Sequence, residues 1–120
     1  MLKKVAFTMY PVEDTARARD FYENKLGLTV GSKASNGVWT EYDLPGGGCF
    51  ALFRGDQPKP TASSGGSVAF EVEDLTALVA RLKADGVTIL QDNIVSPVCR
   101  MAVVQDTEGN SLILHQLNAK

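Results

Sequence analysis

Two hydrophobic rhythms run along this chain, and they appear in the same order twice. Residues from Val5 to Val12, and again from Ser67 to Val72, alternate in the period of a strand with one buried face. A helical period follows each stretch. Ala18, Phe21, Tyr22 and Leu26 share one face of the first helix, and Leu75, Leu78, Val79 and Leu82 share one face of the second. Asp14 and Asp74 stand where a carboxylate can accept from the free amides of a first helical turn, which makes them N-caps. Gly27 and Gly86 stand where a left-handed backbone ends a helix at least cost. Three short strands are predicted after each helix, over 28–34, 37–44 and 49–54 in the first half and over 87–91, 98–105 and 111–117 in the second. Ser35-Asn36-Gly37, Pro45-Gly46-Gly47-Gly48 and Asp106-Thr107-Glu108-Gly109-Asn110 supply the turns.

The order is a repeat. Val12-Glu13-Asp14 returns as Val72-Glu73-Asp74, an offset of 72 − 12 = 60, which is half of the 120 residues. Residues 1–54 form a first βαβββ module and 67–120 a second, joined by a Pro-, Gly- and Ser-rich linker over 55–66. A module of this size with one helix leaves one sheet face bare. The two should therefore pack as a single domain over 1–120, of class α+β, with a cupped mixed sheet and helices outside. The inner faces then enclose either a cavity or a dry core.

Composition narrows the chemistry. Twelve Lys and Arg against fourteen Asp and Glu give a net charge of −2, and no basic run could neutralise several phosphates, so nucleic acid is not an expected partner. No apolar run is long enough to span a bilayer or form a signal peptide core, and the expectation is a soluble, cytoplasmic protein without a membrane partner. Cys49 and Cys99 are isolated from one another in sequence and read as two reduced thiols. His115 is the single histidine, so a multi-histidine metal site cannot be built within one chain.

The paired modules, the run from Val12-Glu13-Asp14 through Asp20-Phe21-Tyr22 to Leu26-Gly27-Leu28, and the turn Asp106-Thr107-Glu108-Gly109-Asn110 resemble the vicinal oxygen chelate superfamily. Glyoxalase I, extradiol dioxygenases, methylmalonyl-CoA epimerase, fosfomycin-inactivating transferases and bleomycin resistance proteins belong to it. The resemblance covers nearly the whole chain. For metal-dependent members it implies a His or Glu near the start of each module's first strand and an acid on each module's last strand. Here those slots fall on Phe7, Ser67, Ile113 and either Ala51 or Leu52, none of which is a metal ligand of that kind. The expectation is a site without metal and no cofactor. A displaced metal site would have to use His115, Glu41, Asp43 and Glu71.

Strand alternation then names the lining. Val5, Phe7 and Met9 should face inward with Ala51 and Phe53 in the first module; Ser67, Ala69 and Glu71 should do so with Ser111, Ile113 and His115 in the second. Trp39, Tyr42, Arg100 and Met101 are added without an anchor for their parity. The predicted ligand-binding set is Phe7, Met9, Trp39, Tyr42, Phe53, Ser67, Glu71, Arg100, Ile113 and His115, mostly apolar with a few polar points, as suits a flat or aromatic organic molecule. The plainer alternative is that Phe7, Met9, Phe53 and Ile113 simply fill the cup. His115 and Glu71 are the candidate acid-base pair. Arg100 beside Cys99 could activate the thiol, or pair with an acid. Glu13, Arg17, Arg19 and Asp20 read as a solvated helix face. The leading function is a metal-free protein that sequesters a small organic molecule, expected as a homodimer by resemblance to the bleomycin resistance proteins. The alternatives are a lyase, isomerase or dioxygenase-like enzyme, using a displaced metal or the His115 and Glu71 pair, and an interaction module with a filled cup.

Overall fold

The computed structural model describes residues 1–33 and 36–119. Its chain divides into two units, Met1–Pro60 and Thr61–Lys120, built on one plan. In the first, β1 (Thr8–Pro11) leads to α1 (Thr15–Arg19), a π-helical segment over Asp20–Lys25, then β2 (Val30–Lys33), β3 (Trp39–Asp43) and β4 (Cys49–Phe53). The second has β5 (Ala69–Glu71), α2 (Leu75–Ala84), β6 (Ile89–Val95), β7 (Cys99–Gln105) and β8 (Ser111–Leu117). Each unit holds one four-stranded sheet, ordered β1-β4-β3-β2 and β5-β8-β7-β6. β1 runs parallel to β4 and β5 parallel to β8, while the other pairs are antiparallel. These are the two tandem βαβββ modules of an α+β protein.

Both predicted caps form. Asp14 Oδ1 accepts from the Arg17 amide and Asp74 Oδ1 from the Ala77 amide, each at 3.0 Å. Gly27 and Gly86 close the helices at φ +79° and +81°. The first helix differs from its prediction, because after Arg19 it widens into π-helical turns, with the Leu26 amide reaching Phe21 O at 3.1 Å. Ala18, Phe21 and Tyr22 stay buried, whereas Leu26, one wide turn later, is only half-buried.

β1 is shorter than expected: it pairs with β4 from Thr8 onward, no strand among the described residues precedes Thr8, and Val5 is 76% exposed. β6 runs further than expected, to Val95, through two register shifts around Gln91, with Asn93 at φ +55°. Ala34, the expected end of the second strand, and Ser35 of the expected Ser35-Asn36-Gly37 turn lie outside the described residues.

Helices cover one face of each sheet. In the first unit the rings of Tyr22, Phe50, Tyr42 and Tyr10 pack together, with Tyr22 at 5.0 Å from Phe50 and Tyr10 at 5.3 Å from it. In the second, Leu75, Val79 and Leu82 of α2 are buried, as are Phe70, Ala102, Val104, Leu112 and Leu114, whose pairing puts them on one face. Burial of each such side chain is worth about 1.5–3 kcal/mol. The turn after β7 is a structural knot: buried Asp106 accepts from the amides of Glu108 and Asn110 at 2.9 Å, and Asn110 Oδ1 takes the Thr61 amide. Among the described residues no helix is long and apolar enough to cross a membrane.

Candidate functional site

The face of each sheet turned away from its helices is where side chains remain available. In the first sheet, Met9, Ala51 and Glu41 sit side by side across the strands, and Pro11, Phe53 and Trp39 form the next row. Phe7 extends the set, with its ring edge-on to Trp39 at 5.2 Å, and Trp39 lies 6.3 Å from Phe53. Trp39 Nε1 donates to Glu41 Oε1 at 2.8 Å, which holds the indole along the strand. Phe7 is 46% exposed and Met9, Trp39 and Phe53 are half-buried, so the aromatic surface is partly exposed. Gly55 makes room for it: a Cβ there would meet the Phe53 ring at 2.6 Å.

In the second sheet the rows are Ala69, Ile113 and Val103, then Glu71, His115 and Met101. His115 Nδ1 lies 2.5 Å from Glu71 Oε1, while Glu71 Oε2 accepts from the Leu117 amide at 2.8 Å. The Leu117 amide and the His115 ring together hold the Glu71 carboxyl below the usual carboxylate range. The partner of His115 thus stands on the neighbouring strand of the same sheet and contacts its ring through Nδ1. Ser67 continues this side of β5, its hydroxyl 3.3 Å from Ser111 O.

The two units match residue for residue. The Val12 amide donates to Phe53 O and the Val72 amide to His115 O, at 2.9 and 2.8 Å, so Phe53 corresponds to His115 and Ala51 to Ile113. This register chooses Ala51 over Leu52 as the counterpart of Ile113; Leu52 is buried on the helix side.

Two predicted ligand-binding residues lie elsewhere. Tyr42 pairs with Phe50 and is fully buried on the helix side, where its hydroxyl donates to Glu23 Oε2 at 2.9 Å. Burial first, and the Glu23 carboxylate second, push that phenol well above its ordinary value. Arg100 pairs with Gln116 on the helix side of the second sheet and donates to Thr76 Oγ1 and Gln116 Oε1. Strand alternation accounts for both. Cys99 points the other way from Arg100, with its sulfur 3.1 Å from Ser96 Oγ. Arg19, half-buried on its helix face, is ion-paired: its Nε meets Glu23 Oε2 at 2.6 Å, and this pairing is the chief reason the Glu23 carboxyl lies below the usual range. Both cysteines are free, and burial pushes the Cys49 thiol up.

At the four positions where the resemblance implies metal ligands, Phe7 and Ala51 in one unit and Ser67 and Ile113 in the other, the side chains offer a single hydroxyl. They do not fit a divalent ion. Among the described residues no three His, Cys, Asp or Glu side chains converge as a metal site, the displaced set of Glu41, Asp43, Glu71 and His115 included.

Tandem βαβββ modules, each presenting a helix-free sheet face, define a fold class with known members. The chain belongs to the Glyoxalase/Bleomycin resistance protein/Dioxygenase superfamily, whose sequence profile matches residues 4–114. A glyoxalase/dioxygenase from Nostoc punctiforme shares the fold at TM-score 0.78 and 15% identity, over 98% of this chain and 92% of that one. TnmS3, an antibiotic binding protein from Streptomyces sp. CB03234, is 26% identical with TM-score 0.75, over 98% of both chains. The fosfomycin resistance protein FosX from Listeria monocytogenes is 18% identical with TM-score 0.73, over 97% of this chain and 94% of that one. No curated protein matches the sequence.

Proposed function

We propose that the protein binds and sequesters a flat, aromatic organic molecule without a metal ion. The observation that carries this reading is the half-exposed group of Phe7, Trp39 and Phe53, held by Glu41 and Gly55, on the helix-free face of the first sheet. Stacking on such rings supplies affinity with little ordering cost, and Glu41 supplies one point of orientation. The likeness to TnmS3, an antibiotic binding protein, supports binding of a small organic molecule. Side chains unsuited to metal at the four family positions support binding without an ion. Two free cysteines favour a reducing, cytoplasmic setting, and Val95, Val98 and Leu117, at 65%, 64% and 60% exposure, favour a homodimer.

Trp39 is the single tryptophan, so the site carries its own reporter. Polycyclic aromatic antibiotics and bleomycin are titrated while tryptophan emission and thermal midpoint are followed, with and without EDTA. Saturable quenching and stabilisation that EDTA leaves unchanged are expected. Metal-dependent stabilisation, or steady turnover of a bound compound, would overturn the reading.

The contact between His115 and Glu71 favours a second reading, an enzyme that moves a proton through His115 Nε2 while Glu71 holds the ring. Any turnover must then be lost in His115→Ala, and an unchanged rate rules it out.

A further inference from the structure

We infer that a groove on the helix side of the second unit is a separate binding site for a small carboxylate with an apolar tail. The groove encloses about 330 Å3, at the lower end of the range of ligand pockets. One wall is a stripe of α2 made by Thr76, Val79, Ala80 and Lys83, spaced so that they share a helical face; Leu75 adds to it. β6 supplies the other wall. Its two register shifts, with Asn93 in the left-handed region, bring Asp92 and Asn93 to the groove, where Asp92 Oδ2 pairs with Lys83 Nζ at 2.8 Å.

The two ends differ in charge. At the Lys83 end the cation is already neutralised by Asp92. At the Thr76 end stands Arg100, which donates to two neutral oxygens, Thr76 Oγ1 at 3.0 Å and Gln116 Oε1 at 3.2 Å. Among the described residues no carboxylate pairs with this guanidinium. A carboxylate can take a charge-assisted bond from Arg100 there without breaking an existing ion pair. The apolar floor of Leu75, Val79 and Ala80 then runs away from it. From Thr76 to Lys83 the helix rises by about 10 Å, which suits a tail of about six to eight carbons.

Calorimetric titration of the full chain with octanoate, butanoate and octanol tests this site. Octanoate is expected to bind at one site per chain, with octanol and butanoate each at least tenfold weaker. Arg100→Gln should weaken octanoate at least tenfold, and Ala80→Leu, which fills the groove, should abolish its binding. Trp39 emission should stay unchanged throughout, which separates this site from the aromatic face. Absence of octanoate binding at millimolar concentration, equal binding of octanol, full affinity in Ala80→Leu or in folded Arg100→Gln, or quenching of Trp39 by octanoate would each overturn the proposal.

Discussion

On the helix-free side of the first sheet, Phe53 stands between Pro11 and Trp39; at the matching place in the second sheet, His115 stands between Glu71 and Met101. Backbone hydrogen bonds align the two rows residue for residue. One scaffold therefore holds an aromatic row in one unit and a row with a His115–Glu71 contact in the other. On the helix sides the units stay alike, with Phe50 and Leu52 matching Leu112 and Leu114 as buried apolar residues. The contrast locates the freedom of this fold: under the helices the central positions are apolar and the polar ones are paired, Tyr42 with Glu23 and Arg100 with Thr76 and Gln116, while the opposite face accepts either chemistry.

That comparison can be broken at several strengths. The largest effect is expected from the helix sides, where Phe50→Ala should cost about 3–5 kcal/mol and Leu112→Ala about 2–5 kcal/mol in urea unfolding. Losses below 1 kcal/mol in either would mean that the matched cores are not equivalent. Next, Phe53→Ala should weaken an aromatic ligand about tenfold, or about 1.4 kcal/mol, while His115→Ala leaves affinity within a factor of two. A smaller effect is expected from Tyr42→Phe. It removes the hydroxyl bonded to Glu23 and should cost about 1 kcal/mol of stability with no change in binding, because Tyr42 faces the helices.

The smallest effect belongs to Glu71. Its carboxyl is held below the usual range in the folded chain, so the stabilisation it gives is present above the unfolded value of about 4.3 and is lost as pH falls through the lower folded value. Glu71→Gln should lower the thermal midpoint slightly at pH 7, and the gap to the wild type should close in acid. A gap that persists in strong acid would mean that the charge of Glu71 is not what stabilises the row.

Much of this arrangement is readable from residue spacing. The offset of 60 between Val12-Glu13-Asp14 and Val72-Glu73-Asp74 carries over into the hydrogen-bonded register, and the acid caps form at Asp14 and Asp74. Parity from Phe7 and Ser67 places Met9, Phe53, Ile113 and His115 on the helix-free faces. Trp39 and Tyr42 are three residues apart on one strand and must face opposite ways, as must adjacent Arg100 and Met101, so one surface cannot hold all four. Trp39 with Glu41 was the pair that spacing favours, and Arg19 with Glu23 is a helical i, i+4 ion pair. The π-helical turn after Arg19 and the bulges around Gln91 carry no comparable local signature, since both are settled by how a segment packs on its sheet.

The most direct test of metal-free binding by the aromatic row is a calorimetric titration of the antibiotic that best quenches Trp39, into wild-type protein, Phe53→Ala and His115→Ala, each with and without EDTA. The account predicts about tenfold weaker binding in Phe53→Ala alone and identical curves with and without EDTA. Loss of binding on chelation, or a loss confined to His115→Ala, would contradict it.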